Sequence, residues 1–372
     1  MSGEFGEFHD ELRTVARELL GKDGDTEPVG WPGLAGAGWT GLEVAAGYDG
    51  AGATFTEVAI LLEEVGRAAA RTAYPSVAAA GIGALTLLDS DTRRDGLLRA
   101  TVAGTALPIA VLEGNMVPAA GGETACAGTG GIVPGFRLTQ TSEGFELSGS
   151  ADFVPDAPAA TILLIPALDP SGAIRVVVVE PDTAGLRITA RPVVDATRAL
   201  GRVDADAVPL VPESVRPFRS DIDRGLRILF DRAALAVACD SVGIAAAMLD
   251  ATVEYARVRT QFDRPIGSFQ AVKHACADML VELTIARRLL AEALAVASDA
   301  SPESSRAVAI AKAYAGEAGV RIAGKAMQLH GGIGYTWESG IHRYLKRATL
   351  NRALFGSPAD LRREIARDYL RP

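Results

Sequence analysis

The pattern of hydrophobic residues changes twice along the chain, and these changes limit the fold more than any other feature. In about the first hundred residues, apolar side chains recur at three- and four-residue steps, as on one face of a helix. Short β-branched runs such as 161–165 and 174–179 follow, bounded by Gly, Pro, Asp and Ser, and long helical patterns then return. The turn residues at 142–144 and 170–172 predict two hairpins between such runs. We therefore predict an α+β fold with an N-terminal helical domain (1–103), a middle β-barrel domain (104–217) and a C-terminal four-helix bundle (218–372).

Composition narrows the class of protein. The chain has 372 residues, of which 48% are hydrophobic, so it can bury large cores. Its net charge of -9 argues against nucleic acid as a partner, because nucleic-acid binding needs a basic face. The start of the chain lacks the basic and apolar segments of a secretory signal, and runs such as 176–179 are too short to span a membrane.

The cysteines point to a reducing compartment. Cys126, Cys239 and Cys276 lie far apart and have no metal-ligand spacing, so we expect unpaired thiols and no metal site. Together with the missing signal, this predicts a cytoplasmic protein.

The C-terminal helices carry apolar faces wider than a single antiparallel pair would bury. A four-helix bundle that also packs against other subunits buries such faces naturally. We therefore expect this region to carry the oligomer contacts.

Residues 257–270, Arg-Val-Arg-Thr-Gln-Phe-Asp-Arg-Pro-Ile-Gly-Ser-Phe-Gln, form the first candidate binding segment, which we call the cationic corner. Pro265 and Gly267 break the helical pattern, and Ser268 is a candidate cap for the next helix. Three arginines beside two phenylalanines suit a ligand that has phosphates and flat rings. A solvated loop between helices is the alternative interpretation.

Residues 328–335, Gln-Leu-His-Gly-Gly-Ile-Gly-Tyr, form the second candidate, which we call the glycine turn. Its glycines allow backbone N–H groups to approach a ligand closely, although glycine after a helix is also the ordinary stop signal. We expect His330 to bond or pack against the backbone, because no second histidine or cysteine follows at metal-ligand spacing.

Together these motifs resemble the acyl-CoA dehydrogenase family. The Arg-x-x-Phe and Pro-Ile-x-x-Phe-Gln elements of the cationic corner and the Gln-x-x-Gly-Gly-x-Gly-Tyr element of the glycine turn carry the resemblance. It extends over nearly the whole chain and implies FAD as cofactor, a dimer or tetramer, and α,β-desaturation of an acyl-CoA. The α-hydrogen leaves as a proton and the β-hydrogen as hydride.

The resemblance also implies which residues contact FAD. They match the family's contacts to the adenosine–pyrophosphate half of the FAD held by a neighbouring subunit, and they are Arg259, Phe262, Gln270, Gln328, Gly331 and Gly332.

The positions that the family uses for its own chemistry are altered. The catalytic glutamate of the family precedes a Gly-Ser/Thr step, and here Phe355 precedes Gly356-Ser357. The alternative base position, early in the long helix, is occupied by Ala233. The flavin-facing β-domain motif is replaced by residues 153–155, and the Thr-Glu-Pro motif is not recognisable around 111–115.

This selective loss makes the chain similar to the catalytically silent subunit of bacterial heteromeric (α2β2) acyl-CoA dehydrogenases, including those of steroid side-chain degradation. The resemblance then implies a paralogous subunit and an electron-transfer flavoprotein as partners. Two alternatives stay open at this point. One is a self-sufficient homotetramer with a displaced base, for which Asp240 and Glu338 are candidates although both are expected to be solvated charges. The other is a flavin-free scaffold that binds an acyl carrier or a protein.

Overall fold

Helices form the first part of the chain in the computed structural model, which describes residues 3–21, 30–115, 132–219, 224–297 and 301–370. They are α1 (Gly3–Leu20), α2 (Trp31–Gly36), α3 (Phe55–Arg67), α4 (Tyr74–Ser76), α5 (Ile82–Leu87) and α6 (Thr92–Val102), and a π-helical turn, Val77–Gly81, joins α4 to α5. Helix α3 begins at a capping box, in which the Thr54 N–H donates to Glu57 Oε2 at 2.8 Å.

The middle of the chain is one eight-stranded sheet. Its strands are β1 (Pro108–Ala110), β2 (Phe136–Gln140), β3 (Phe145–Pro155), β4 (Ile162–Leu168), β5 (Ile174–Val179), β6 (Leu186–Arg191), β7 (Leu200–Leu210) and β8 (Val215–Pro217). The order is β6-β7-β3-β2-β4-β5-β8, with β1 parallel to β4. The end strands β6 and β8 do not pair with each other in the part of the chain that the structure describes.

Two hairpins expected from the sequence are present in this sheet. Gln140 pairs with Phe145 across the β2–β3 turn, and Leu168 pairs with Ile174 across the β4–β5 turn. The register of β3 against β7 shifts between Ala151 and Val154, so a bulge re-aims the backbone there. This irregularity lies in the segment that departs from the family motif.

Long helices return after the sheet. They are α7 (Gly225–Val258), α8 (Gln270–Val296), α9 (Pro302–His330), α10 (Ile341–Ala353) and α11 (Pro358–Leu370). Helices α7, α8, α9 and α10 pack together as a bundle, and α11 packs on α9. The predicted fold class is therefore confirmed.

Helix α7 is the centre of the molecule. Its length and apolar composition would allow it to cross a membrane. However, 94% of its most apolar 18-residue segment is buried inside the fold, as in the core helix of a globular protein. It also packs directly on α3, since a Cβ at Gly243 would lie 1.9 Å from the Glu63 carbonyl oxygen and one at Gly66 would lie 2.1 Å from that of Asp240. The glycines thus allow the N-terminal helices to contact the bundle backbone to backbone.

The cysteines that the structure describes are free. Cys239 is buried in α7 and Cys276 is half-buried in α8. Cys126 lies outside the described residues.

Candidate functional site

The cationic corner is a short β-hairpin at the end of α7. Thr260–Gln261 (β9) pairs antiparallel with Arg264–Pro265 (β10), and the two residues between them, Phe262 and Asp263, have φ values of 53° and 59°. A two-residue turn with positive φ at both positions matches the twist of a hairpin. The turn presents the Phe262 ring outward, with 86% of the residue exposed.

Cations and a second ring line the same hairpin. The Phe269 ring lies 6.2 Å from the Phe262 ring, and the Arg264 guanidinium lies 4.1 Å from the centre of Phe269. Arg259 and Gln270 are exposed beside them. Ser268 does not cap α8, which was predicted wrongly: α8 begins at Gln270, Phe269 is its N-cap residue, and no side chain caps it.

The glycine turn begins where α9 ends. Gly331 has a φ of 61°, and Gln328, Gly331 and Gly332 are all exposed. A Cβ at Gly331 or Gly332 would meet nothing within 4 Å, so this stretch of backbone faces open space. The turn can therefore present its N–H groups to a partner or ligand from outside the chain.

His330 joins the glycine turn to the cationic corner. Its Nδ1 bonds to the Ala326 carbonyl at 2.8 Å, and its ring stacks on Tyr255 with centroids 4.4 Å apart. The Arg259 N–H in turn donates to the Tyr255 carbonyl at 2.9 Å. The structural role expected for His330 is thus confirmed, and the six sequence-predicted residues lie at one end of the bundle, all exposed.

Phe355, at the position of the family's base, is part of the core. It is 5% exposed, has a φ of 52°, and its ring meets Phe230 edge-on with centroids 6.0 Å apart. Its N–H donates to the Gly114 carbonyl at 2.6 Å. The turn between α10 and α11 is therefore bonded directly to the sheet domain.

The altered β-domain segments meet at the same place. The Gly114 N–H donates to the Phe153 carbonyl at 3.2 Å, and Glu113 Oε1 accepts from the Asp152 N–H at 2.7 Å. A Cβ at Gly114 would lie 2.5 Å from a Leu354 methyl group. The structure thus brings three of the four departures from the family pattern, at 111–115, 153–155 and Phe355, into contact with one another.

A small cavity, which we call the inner cavity, adjoins these residues. Its volume is about 40 Å³, and most of its lining is apolar, including Ala79, Leu112, Ala233, Leu354 and Phe355. This volume holds about one water molecule. No carboxylate lines it among the described residues. The described residues of this lining thus provide no carboxylate that could accept a proton.

Asp240 cannot act as a displaced base. It is fully buried and accepts hydrogen bonds from Arg347 Nε and Nη2 at 2.9 and 2.5 Å, from Arg198 Nη2 at 2.8 Å, and from Asn351 Nδ2 at 2.6 Å. Burial raises its pKa, but Arg347 and Arg198 outweigh burial and lower the pKa to about 2. The expectation of a solvated Asp240 was therefore wrong, whereas Glu338 is exposed as expected.

Besides Asp240, whose partners Arg198 and Asn351 line the inner cavity, Asp156 is also bonded to the wall of this cavity. The sequence pattern did not indicate Asp156. Its Oδ2 accepts from the Ser76 hydroxyl at 2.5 Å, and Ser76 lines the cavity. Burial raises the pKa of Asp156. Only the fold could reveal it, because Asp156 and Ser76 are 80 positions apart.

Comparison with known proteins identifies the family. The acyl-CoA dehydrogenase N-terminal domain matches residues 6–105, and the acyl-CoA dehydrogenase C-terminal domain matches residues 226–370. The probable acyl-CoA dehydrogenase YngJ of Bacillus subtilis is 30% identical over 349 residues, which cover 90% of this chain and 87% of that protein.

Two further relatives agree with this match. Acyl-CoA dehydrogenase IpdE2 of Mycobacterium tuberculosis is 37% identical over 237 residues, or 59% of this chain and 69% of that protein. A chain from the solved structure of a Tcur3481-Tcur3483 steroid ACAD variant superimposes with a TM-score of 0.82 at 26% identity, covering 98% of each chain. The chain belongs to the acyl-CoA dehydrogenase family of oxidoreductases.

Proposed function

We propose that this chain is the non-catalytic partner subunit of a heteromeric acyl-CoA dehydrogenase and completes the FAD site of a neighbouring, catalytically competent subunit. The observation that carries the proposal is Phe355, which is buried at the base position and bonded through its backbone to Gly114. Proton abstraction needs a base within hydrogen-bond reach of the α-carbon, and the inner cavity offers none among the described residues.

The exposed residues at the end of the bundle support the second part of the proposal, which is that this chain contacts the FAD of a neighbouring subunit. Arg259 can donate to the pyrophosphate of a neighbour's FAD, and the ring of Phe262 can flank the cofactor. Gln328 and Gln270 add side-chain amides, and the glycine turn adds backbone N–H groups. When bound, FAD supplies the hydride acceptor for desaturation of the acyl-CoA, and the residues of this chain bind and orient it.

The similarity to a solved relative supports the heteromer. The solved Tcur3481-Tcur3483 steroid ACAD is named after two proteins. This chain and one chain of that structure match over 98% of the length of each. We therefore include in the proposal a paralogous subunit, an acyl-CoA substrate of fatty-acid or steroid type, and an electron-transfer flavoprotein as electron acceptor.

The decisive experiment is flavin content with and without the partner. The chain is purified alone and co-expressed with a paralogous acyl-CoA dehydrogenase chain encoded beside it, and flavin absorbance is measured for each. We expect a colourless chain alone and one FAD per pair in the complex. Stoichiometric FAD with turnover in the chain alone would support the self-sufficient homotetramer. Absence of FAD from every such complex would support the flavin-free scaffold.

A further inference from the structure

Helix α8 has one buried face and one exposed face. Its buried side chains, such as Met279, Leu283 and Leu290, lie in the bundle, where α8 packs on α7 and α9. The opposite face is exposed but carries apolar side chains at its centre, since Val281 is 58% exposed and Ile285 is 41% exposed. A helix on the surface of a monomer normally has a polar outer face. These two side chains therefore draw attention to the outer face of α8 as a contact surface.

Six exposed residues form one line along this face, which we call the α8 stripe. They are His274, Asp278, Val281, Ile285, Arg288 and Glu292. The spacing between them alternates between four and three residues, so the stripe follows the seven-residue repeat of a coiled-coil contact. At 1.5 Å per residue, the stripe is about 27 Å long. A second helix can therefore pack against α8 along this whole length.

The α8 stripe is symmetric about the level of Leu283. It has one residue at two, five and nine positions before Leu283 and one residue at the same distances after it. The resulting pairs are Val281 with Ile285, Asp278 with Arg288, and His274 with Glu292. The first pair is apolar, and each of the other two joins a carboxylate with a side chain that can donate hydrogen bonds to it. The stripe is therefore complementary to its own reversed copy.

Two copies of α8 that pack antiparallel bring these pairs together. When a two-fold axis passes at the level of Leu283, Val281 of one copy lies opposite Ile285 of the other, and Asp278 lies opposite Arg288. The symmetry repeats each contact, so the interface contains every pair twice. A parallel arrangement would place Asp278 opposite Asp278 and Arg288 opposite Arg288, which like-charge repulsion disfavours. The charges thus select an antiparallel second copy of this chain.

The charged residues of the α8 stripe are only weakly engaged within one chain. Nε of Arg288 lies 4.0 Å from Oε1 of Glu292, and these side chains are 83% and 67% exposed. Such an exposed pair contributes little to stability. Asp278 forms no ion pair with another residue that the structure describes. These charges are therefore available to a second copy of the chain.

We infer that the α8 stripe is a self-association surface, through which two copies of this chain pack antiparallel about a two-fold axis at the level of Leu283. The inference does not rest on the proposed function, because none of the six residues of the stripe is proposed to contact FAD. In an α2β2 assembly, this contact joins the two copies of this chain to each other.

Charge reversal at Asp278 and Arg288 tests the inference. D278R places two cations opposite each other, and R288D places two carboxylates opposite each other, twice in each interface. Each single variant should weaken self-association about 10-fold or more, because attraction becomes repulsion at both contacts. The double variant D278R/R288D restores opposite charges at both contacts and should self-associate about as well as the wild type. Sedimentation velocity over a dilution series measures the number of copies per particle, for the full-length chain alone and with its paralogous subunit.

Matched controls separate the stripe from the rest of α8 and from the FAD site. K273E reverses an exposed lysine on the same helix but outside the stripe, so it should self-associate as the wild type does. Far-UV circular dichroism checks that each variant folds. D278R and R288D should leave the FAD content of each heteromeric pair unchanged, so a failure of this inference is distinguishable from a failure of the proposed function.

Three results would overturn the inference. The first is a wild type with a single copy of this chain per particle at about 50 μM, both alone and with the paralogous subunit. The second is unchanged self-association in both single variants. The third is a double variant that recovers nothing, because the face would then bind a partner other than its own copy.

Discussion

Arg347 in α10 and Asp240 in α7 form a salt bridge in which neither side chain is exposed, with Nη2 2.5 Å from Oδ1. Arg347 also donates to the Ala70 carbonyl at 2.7 Å, so this single guanidinium links the N-terminal helices to two helices of the bundle. Removing one partner of a buried pair leaves an uncompensated charge, which is far more costly than losing a surface pair.

D240N should therefore destabilise the chain strongly. The change leaves Arg347 and Arg198 buried without a counter-charge, and we expect the free energy of unfolding to fall by about 3–5 kcal/mol in urea. D250N is the matched control on the same helix. Asp250 pairs with Arg67 but is 57% exposed, so its loss should cost less than about 1 kcal/mol. Equal effects of the two variants would contradict the prediction.

The carboxylate of Asp240 should also make the free energy of unfolding depend on pH in the acidic range. Its pKa is about 2 in the folded chain and near the ordinary 3.8 in the unfolded chain. A lowered folded-state pKa means that the contribution is fully present above the unfolded value and is lost as the pH falls through about 2. The difference in unfolding free energy between the wild type and D240N should therefore shrink between these two pH values. A constant difference over that range would exclude this origin.

Lys312 should make the stability of the folded chain depend on pH in the alkaline range. It is fully buried in α9, Nζ donates to the Gly356 carbonyl at 3.2 Å, and burial lowers its pKa from 10.5 to about 7. The unfolded chain binds this proton more tightly, so stability should rise as the pH increases from about 7 to 10.5. K312M should lack that rise in unfolding experiments. K325M, at an exposed lysine on the same helix, should retain it.

F355A tests the packing beside the inner cavity. Loss of the buried ring that packs on Phe230 should cost about 3–5 kcal/mol of unfolding free energy, because it leaves a cavity in the core. The FAD content of the heteromer should not change, since the proposed cofactor contacts lie at the other end of α7. Loss of FAD without loss of stability would show that Phe355 serves the cofactor and not the core.

R259A tests the cationic corner. Loss of a charge-assisted bond to pyrophosphate should weaken retention of FAD by the heteromer by roughly 10- to 100-fold, measured by flavin release on dilution. R259K should recover only part of it, because an ammonium group cannot form the two-pronged contact. R288A, at an exposed arginine on α8, is the control and should retain FAD fully.

F262G tests whether the ring of Phe262, and not the conformation of its turn, contributes to FAD retention. Glycine accepts the φ of 53° without strain, so the isolated chain should keep or gain up to about 1 kcal/mol of stability. FAD retention by the heteromer should nevertheless fall, because the exposed ring is gone. D263G, at a φ of 59°, relieves the same strain and keeps the ring, so it should not affect FAD. A loss of FAD in both variants would point to the turn and not to the ring.

Local pattern was enough for the elements of this fold. Apolar periodicity predicted the order of the three parts, and the glycine-containing turns predicted two hairpins, both of which the structure confirms. Ser268 was wrongly predicted to cap α8, because residues 260–265 form a hairpin and the helix begins only at Gln270, without a side-chain cap. The turn of this hairpin, Phe262-Asp263, contains no glycine, so it lacks the usual sequence signal of a two-residue hairpin turn.

Long-range contacts were beyond the sequence pattern. A charged residue on a helix predicted a solvent-exposed Asp240. Its buried partners Arg198 and Arg347 lie 42 and 107 positions away in the sequence, so the pattern near Asp240 could not reveal them. The contact between Gly114 and Phe355 likewise joins two domains. The altered motifs could be recognised one at a time, but only the fold shows that they meet.

Helix α7 carries Ala233 near one end and leads into Arg259 at the other, and its last residue, Val258, lies 25 positions after Ala233. At 1.5 Å per residue this separation is about 37 Å of uninterrupted helix. Under the proposed function, a side-chain change near Ala233 lies this far from the residues that would contact a neighbour's FAD. The two ends of α7 could therefore change independently of each other.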